Sequence, residues 1–418
     1  MSGRPGTRAI GRFHRPDPPS TTRAEDFDEV SVSRTIQLPH SDGSLHTHHL
    51  SEPADRPLPT NPPTSRIAYA AAHVVADPFG ENTPGSPAAI DWDSTLAFRG
   101  HLWECGLGVA EAMDTAQRGM GLDWEATREL IRRSGEEAAR VGGRIAAGVG
   151  TDHLSPDVTD LDELVAGYRE QLDVAQHAGA RVILMASRQL AAAATGPADY
   201  RRVYDKLLAE VQQPAILHWL GPAFDPRLEG YWGSSDVDEA AESLLEILHA
   251  RADRVDGVKV SLLDAEHEVR LRERLPEGVR LYTGDDFNYP RLIKGESGTF
   301  SDALLGVFAA IAPAAAAALH ALDEGDETGF DEILGPTVPL ARQLFAHPTY
   351  YYKTGIAFLA WLRGQQPGFS MVGGLQSGRS VVHLAEVFRL ADRAGTLPDP
   401  ELAADRMRCL LATAGVSR

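Results

Sequence analysis

The chain has 418 residues, of which 43% are hydrophobic and 24% are charged, a profile typical of a soluble globular protein. Its net charge of −19 argues against nucleic acid and against an anionic membrane as partners. No apolar run reaches the length of a membrane span, and the N-terminus lacks the apolar core of a signal peptide, so we expect a cytoplasmic protein. Cys105 and Cys409 give no disulfide framework and no metal-binding spacing.

The first 65 residues are predicted to form an arm outside the main domain. Residues 1 to about 28 are rich in Pro, Ser and Arg and are predicted to be flexible. Two β-rich runs then flank Asp42-Gly43, and an Asp-Gly pair between such runs is a strong signal for a β-hairpin. A Pro-rich segment follows, which we interpret as an extended strap that connects the hairpin to the main domain.

Residues 66–325 alternate between short apolar runs and helical patterns, which indicates parallel strands with helices between them. Eight such units predict a closed (β/α)₈ TIM barrel. An open doubly wound sheet is the alternative, but the chain lacks the glycine-rich phosphate-binding motifs of its nucleotide-binding versions. The predicted strands are Ile67–Val75, Gly108–Met113, Arg144–Val149, Arg181–Met185, Ala215–Trp219, Gly257–Val260, Arg280–Thr283 and Gly298–Ser301.

Residues 326–418 are predicted to form a C-terminal helical extension. This segment contains "AHPTYYYKTGIAFLAWL", in which the three tyrosines that precede Lys353 are typical of core packing or subunit contact. Lys353 is a second candidate for lysine chemistry, although it lies outside the barrel strands. At the other end of the chain, hairpin residues Ile36, Leu38 and Leu45 need a surface to cover, and we expect the bottom of the barrel or a neighbouring subunit.

In a (β/α)₈ barrel the functional side chains lie where the strands end, at the C-terminal face. Each polar residue at a predicted strand end is weak evidence by itself, because every such barrel has polar residues there. Together they give a set of candidate site residues. These are Asp114 and Thr115 after the second strand, Arg188 after the fourth, His218 in the fifth, Asp285 and Asp286 after the seventh, and Ser301 at the end of the eighth.

Lys259 differs from these residues because it interrupts an apolar strand, "GVKVSLL". Burying an unpaired ammonium group costs several kcal/mol, or else the group releases its proton. One interpretation is structural, with a lysine on an edge strand, between helices or paired with a buried carboxylate. The other is a lysine that acts as a nucleophile.

The stretch "VDGVKVSLLDAEHEVRLRERLPEGVRLYTGDDFNYPRLI" resembles the dihydrodipicolinate synthase and N-acetylneuraminate lyase superfamily of class I aldolases. The resemblance extends from about Ile67 to Ala394, and the whole sequence is similar to the DUF993 branch of that superfamily. In the superfamily a Gly-[Ile/Val]-Lys on strand six supplies a Schiff-base lysine, and Gly-Asp-Asp often closes strand seven. The resemblance therefore implies that Lys259 is the Schiff-base lysine.

The sequence departs from the superfamily at several site positions. His218 replaces the catalytic tyrosine of strand five, Asp114 replaces a glycine in the second-strand loop, and Ala116 replaces the second of two threonines, of which Thr115 remains. An ionised Asp114 that faces the site would repel a substrate carboxylate by about 4 kcal/mol at ~4 Å and an effective dielectric of ~20. Pyruvate should then be a poor partner, unless Asp114 points away and caps the following turn.

The sequence therefore predicts a lyase or aldolase that acts on a small carbonyl compound, with sugar-derived carbonyls among the candidates. Lys259 attacks the carbonyl, and His218 is the general acid/base because an imidazole titrates near neutral pH. Asp285 or Asp286 orients a hydroxyl group of the substrate. We expect no organic cofactor, no metal and no nucleic-acid or membrane partner, and we expect a homo-oligomer.

Two other functions are compatible with the sequence. His46-x-His48, together with His73, Asp77 and Glu81, could indicate a metal-dependent TIM-barrel hydrolase, although a solvent-exposed His cluster on a hairpin is the favoured interpretation. A non-catalytic barrel that binds a small molecule is the second alternative, since fold does not fix function. Trapping of an imine with borohydride would distinguish the aldolase from both.

Overall fold

An N-terminal β-hairpin precedes the main domain in the computed structural model, which describes residues 34–58, 61–113, 117–296 and 298–416. The hairpin consists of the antiparallel strands β1 (Thr35–Pro39) and β2 (Leu45–His49). Gly43 occupies the left-handed region in the turn, with φ of 83°, which glycine adopts without strain. The hairpin predicted from Asp42-Gly43 is therefore confirmed, whereas residues 1–33 of the predicted arm lie outside the described residues.

Eight parallel strands close into a barrel in the order in which they occur along the chain, and the last strand pairs with the first. The (β/α)₈ TIM barrel predicted from the sequence is thus confirmed. The strands are β3 (Ala68–Ala71), β4 (Gly108–Glu111), β5 (Ile145–Val149), β6 (Arg181–Leu184), β7 (Ala215–Leu220), β8 (Val255–Ser261), β9 (Arg280–Thr283) and β10 (Asp302–Leu305).

Helices surround the barrel and then continue into the C-terminal extension. Several begin at an aspartate whose side chain accepts a backbone N–H of the first turn, as Asp123 and Asp160 do, which stabilises the helix start. The helices are α1 (Trp92–Glu104), α2 (Trp124–Val141), α3 (Leu161–His177), α4 (Arg188–Ala193), α5 (Pro197–Glu210), α6 (Val237–Ala250), α7 (Ala265–Arg272), α8 (Tyr289–Lys294), α9 (Phe308–Asp323), α10 (Glu327–Leu334), α11 (Val338–Leu344), α12 (Tyr352–Leu362), α13 (Val381–Arg393) and α14 (Pro400–Thr413).

The eighth strand lies four residues further along the chain than predicted. The prediction placed it at Gly298–Ser301, but Glu296 and Thr299 form a local antiparallel bridge, and the strand is β10. The barrel closes where the N–H of Ala303 donates to the carbonyl of Ile67 at 2.9 Å. The apolar run that follows Ser301 forms this strand, and a short apolar run does not by itself distinguish helix from strand.

The C-terminal extension covers the C-terminal end of the barrel. Gly306, directly after β10, lies so close to the rings of Phe345 and Tyr352 that a Cβ there would approach them to 2.8 Å and 2.7 Å. Gly121, in the loop after β4, is in similar contact with the backbone of Gly373. The extension therefore forms a lid over the face where the active site of such a barrel is expected.

The N-terminal hairpin packs on this extension, whereas the bottom of the barrel was one of the two surfaces expected from the sequence. Ile36 and Leu38 are buried, and Leu45 is half-buried. The carbonyl of Pro39 accepts a hydrogen bond from Arg389 of α13 at 2.8 Å.

Within the described ranges, no helix is both long enough and apolar enough to cross a membrane.

Candidate active site

Lys259 projects from β8 into the barrel. In the strand ladder it stands between His218 of β7 and Tyr282 of β9. Tyr282 and Ile216, two residues before His218, belong to the cluster of side chains that fills the barrel interior. Because side chains alternate between the two faces of a strand, His218 and Lys259 face the interior as well. Lys259 is 7% exposed, so the sequence prediction of a buried lysine within an apolar strand is correct.

The backbone beside Lys259 is shaped by Gly284, the residue that follows β9. A Cβ at this position would lie 2.9 Å from Cε of Lys259 and 2.2 Å from Oγ of Ser261. A side chain larger than hydrogen would therefore displace the lysine or the serine. The first residue of the Gly-Asp-Asp sequence is thus required by close packing around the lysine side chain.

His218 is buried completely, and its Nε2 lies 3.2 Å from Oγ of Ser261. Its Nδ1 has no hydrogen-bond partner among the described residues. Burial and then the charge of Lys259 lower the pKa of His218 well below its ordinary value. The imidazole is therefore neutral at physiological pH. His218 was predicted to be the general acid/base because an imidazole ordinarily titrates near neutral pH, and that reason does not apply to this buried side chain.

The two neighbouring aspartates after β9 have different environments. Asp285 accepts hydrogen bonds from the backbone N–H groups of Phe287 and Asn288 at 2.8 Å and 3.0 Å, so it holds the turn that leads into α8. Asp286 accepts the N–H of Val307 at 2.7 Å, at the C-terminal end of the barrel. Burial raises the pKa of Asp286 to about 7, although the charges of Lys259 and Lys353 oppose that rise. Of the two aspartates, Asp286 is therefore the one whose pKa is raised toward neutrality beside the lysine.

Lys353 reaches the same region from the extension. It is 2% exposed, and its Nζ donates to the carbonyl of Ala71 at the end of β3. Burial, followed by the charge of Arg99, lowers the pKa of Lys353 to about 7, while Asp286 acts in the opposite direction. The sequence analysis placed this lysine outside the barrel strands, and the structure brings it to the barrel mouth. Its signal was an ammonium group within an apolar helix, the same signal that identified Lys259.

The few lysines of the chain are unevenly distributed between its surface and its interior. Only four of the 40 basic residues in the chain are lysines. Lys206 and Lys294 lie on the surface in ion pairs with Asp162 and Asp331. The other two lysines are buried and interact electrostatically with each other and with Asp286. Half of the lysines are therefore located in one buried cluster, which we call the lysine cluster and define as Lys259, Lys353 and Asp286.

The remaining predicted site residues are distributed differently. Arg188 is at the C-terminal face, but it forms an ion pair with Asp225 and lines a separate small cavity of about 40 Å³. Ser301 precedes β10, so it lies at the N-terminal end of that strand, where its hydroxyl donates to Glu268 at 2.8 Å. The prediction that Ser301 closes a strand at the C-terminal face is wrong. Asp114 and Thr115 lie outside the described residues.

The histidines that suggested a metal-dependent hydrolase do not converge. His48 is paired with Asp392 of α13, with Nε2 and Oδ2 2.8 Å apart. Nε2 of His73 lies 2.7 Å from the side-chain oxygen of Gln366, and His46 is exposed on the hairpin. Across residues 34–416, apart from the short undescribed gaps, no group of three metal-ligating side chains is present.

Comparison with solved structures shows that the barrel has the fold of dihydrodipicolinate synthases. The enzyme from Bacillus clausii matches with a TM-score of 0.59 at 15% identity over 78% of this chain and 96% of that one. The enzyme from Bacillus anthracis gives 0.57 at 14% over 78% and 97%, and that from Aquifex aeolicus gives 0.56 at 13% over 84% and 98%. At these identities the similarity defines the fold alone.

The class of protein is therefore a (β/α)₈ barrel of the dihydrodipicolinate synthase type with a buried lysine on its sixth barrel strand. Residues 36–416 match the family model described as "Protein of unknown function (DUF993)", so the chain belongs to the DUF993 family, as its sequence indicated. No curated protein matches the sequence.

Proposed function

We propose that the protein is a class I aldolase or lyase in which Lys259 forms a Schiff base with a small carbonyl substrate. The observation that carries this proposal is the position of Lys259, which is buried on the inner face of the sixth barrel strand beside Asp286. The superfamily that the sequence resembles places its Schiff-base lysine on this strand. A buried ammonium group contributes little to packing, so chemistry explains its presence better than stability does.

In the proposed reaction the neutral amine of Lys259 attacks the carbonyl carbon and forms a carbinolamine. The hydroxyl group then leaves as water after it accepts a proton, and an iminium ion remains. The iminium accepts the electron pair of a carbon–carbon bond that breaks next to it, or activates the adjacent carbon for bond formation. Water finally hydrolyses the imine and regenerates the amine.

Asp286 and Lys353 are suited to move the protons that these steps require. Both groups have a pKa of about 7, so each is present in protonated and deprotonated forms near neutral pH. A general acid or base is most effective when its pKa lies near the working pH. We assign proton transfer to this pair, and we assign to the neutral His218, with Ser261, hydrogen bonding to a substrate hydroxyl group.

The substrate in this proposal is a hydroxylated or uncharged carbonyl compound. His218 and Ser261 supply polar atoms beside Lys259 that suit a hydroxyl group. Asp114, in place of the superfamily's glycine, disfavours a carboxylate if its side chain faces the site. A change of Asp114 to Gly should then improve trapping of pyruvate, by as much as about a thousandfold in affinity.

Reductive trapping tests the proposal directly. The protein is incubated with borohydride and a panel of carbonyl compounds that includes pyruvate, dihydroxyacetone and keto sugars, and the modified peptide is identified by mass spectrometry. We expect one stable secondary amine, on Lys259, with a hydroxylated ketone. The surface lysines Lys206 and Lys294 act as internal controls for non-specific reduction.

Two matched variants separate the roles of the buried lysines. Lys259→Met should remove the adduct, whereas Lys353→Met should keep the adduct on Lys259 and slow its formation. Equal labelling of Lys206 and Lys259, or the absence of an adduct with every compound, would contradict the Schiff-base mechanism. An adduct on Lys353 that persists in Lys259→Met would instead assign the nucleophile to the extension.

A further inference from the structure

A cavity of about 260 Å³ lies outside the barrel, and the proposed mechanism does not use it. Its walls come from the first half of α9, the end of α12, residues 54–58 of the strap and the connection between α13 and α14. The walls are largely apolar, with Ala310, Ile311, Pro313 and Ala314 on the α9 side. This volume is close to the lower limit for small-molecule sites in proteins, so it suits a ligand of few atoms.

The shape of α9 creates this space. Ile311 has non-helical backbone angles, φ −128° and ψ 25°, and Pro313 follows inside the helix. Proline lacks the N–H that an uninterrupted helix would use and commonly produces a kink. The alanines on either side of the kink have small side chains, so the wall recedes where a leucine would fill the cavity.

Arg363 lines the cavity without a counterion. Its Nε and Nη2 are buried and have no hydrogen-bond partner among the described residues, and no ion pair with a carboxylate is found there. Burial lowers the pKa of Arg363 to about 10, so the guanidinium remains charged at neutral pH. Oε1 of Gln365, two residues later, is likewise buried without a donor. Buried polar groups are rarely left unsatisfied, and an unsatisfied group requires an explanation.

The surroundings of Arg363 add positive charge. Arg56 lines the cavity and donates only to backbone carbonyls, those of Gly395 at 2.7 Å and Ala394 at 3.0 Å. His101 lies in the same wall, but burial and then the charge of Arg363 lower its pKa, so it adds no charge near neutral pH. None of the described residues that line the cavity carries a carboxylate. A positive, apolar-walled cavity is unexpected in a chain with a net charge of −19. The guanidinium fork of Arg363 is shaped to bind a planar carboxylate.

We infer that this cavity binds a small aliphatic carboxylate. The carboxylate pairs with the unpartnered nitrogens of Arg363, the aliphatic body contacts the α9 wall, and a hydroxyl group next to the carboxylate donates to Oε1 of Gln365. The site is independent of the Schiff-base proposal, because its lining residues do not include any member of the lysine cluster.

Calorimetry and thermal unfolding of the full chain test this inference with three related probes. These are 2-hydroxy-3-methylbutanoate, 3-methylbutanoate and the uncharged 3-methylbutanamide. We expect the hydroxy acid to bind best and the amide to bind at least about tenfold more weakly than 3-methylbutanoate, because only the acids pair with the guanidinium. Bound ligand should raise Tm in a concentration-dependent manner.

Three variants locate the binding site. Arg363→Met should abolish the shift in Tm while the Tm of the unliganded protein stays the same or rises, since an uncompensated buried cation is removed. Ala314→Leu keeps the charge and fills the cavity, so it should also abolish binding. Lys259→Met should bind the acids as the unmodified protein does.

Equal binding of amide and acid would overturn the inference, as would binding that survives both Arg363→Met and Ala314→Leu. Loss of binding in Lys259→Met would place the ligand in the barrel mouth and would overturn it too. The absence of binding at about 20 mM of each acid, a concentration at which even a millimolar Kd gives near saturation, would show that the cavity is not a site for this class of ligand.

Discussion

Two clusters of buried charge lie on the same barrel and differ in how their charges are paired. Between α1 and β4, Arg99 donates to both oxygens of Glu111, at 2.7 Å and 2.8 Å, and also to the carbonyls of His73 and Thr95. Burial would raise the pKa of Glu111, but Arg99 holds it below its ordinary value. Both groups are therefore charged, and both carboxylate oxygens of Glu111 are hydrogen-bonded to the guanidinium.

The lysine cluster is the contrasting case. Lys353 donates to a backbone carbonyl, and Asp286 accepts from a backbone N–H, so these two hydrogen bonds do not join an ammonium to a carboxylate. Their pKa values move toward about 7 because burial disfavours both charged forms. In the first cluster a bidentate arginine holds the pKa of Glu111 below its ordinary value, whereas in the lysine cluster burial moves the pKa values of Asp286 and Lys353 toward about 7.

The largest effect that this contrast predicts is on activity, from Lys259→Met. Imine trapping and turnover should fall below detection, because the proposed covalent bond forms on this side chain. The free energy of unfolding should change little in comparison, since methionine keeps the aliphatic part of the side chain and Asp286 can become neutral when the ammonium is removed. Chemical denaturation and borohydride trapping measure the two effects. A variant that unfolds easily would place Lys259 among the structural charges.

The reverse result is expected from Glu111→Gln. It leaves Arg99 as a buried cation without its counterion, which should cost about 3–5 kcal/mol in the free energy of unfolding. At a temperature where the variant is folded, trapping on Lys259 should persist. Denaturant titration at pH 7 checks this, and exposed Glu125, which pairs with Arg128 on the surface, provides the control, since its change to Gln should cost less than about 1 kcal/mol.

The two clusters should also give opposite pH dependences of stability. Since the pKa of Asp286 is about 7 when folded and 3.8 ordinarily, the folded state alone binds this proton between about pH 4 and 7. The contribution of Asp286 to the free energy of unfolding should therefore decrease as the pH rises from about 4 to about 7, by up to about 4 kcal/mol. The lowered pKa of Glu111 acts in the opposite direction, with stability that is lost as the pH falls below about 4.

Asp286→Asn isolates the first of these contributions because the amide does not titrate. The difference in stability between the variant and the unmodified protein should change between pH 5 and pH 7.5 in favour of the variant. Circular dichroism during urea titration at both pH values measures it. If the difference is independent of pH, the carboxyl group of Asp286 is already ionised in the folded protein at pH 5.

The smallest effect is expected from Asp285→Asn. The amide oxygen can still accept the backbone N–H groups of Phe287 and Asn288, so the loss should be about 1 kcal/mol. Removal of this charge should lower the pKa of Asp286 slightly, because Asp285 contributes to its rise. Trapping rates as a function of pH would show a small acid shift. A loss of trapping as large as that of Lys259→Met would give Asp285 a role in the chemistry.

The sequence by itself determined the local features of this protein. Alternation of apolar runs with helical patterns predicted the barrel, because the spacing of apolar residues in each strand or helix depends on which of its faces is buried. The strand Arg280–Thr283 was predicted with its observed bounds, and Asp-Gly located the hairpin. Lys259 was identifiable because an ammonium group in an apolar strand contradicts the hydrophobic pattern around it.

Only the tertiary structure decided which distant groups meet. Closure of the barrel sets β10 against β3, and no local pattern could distinguish that strand from the start of a helix. Lys353 and Asp286 are 67 positions apart in the chain, yet folding of the extension over the barrel mouth brings their charges together. Their pKa values depend on burial and on neighbours from several elements. These are properties of packing, and the order of residues along one segment does not contain them.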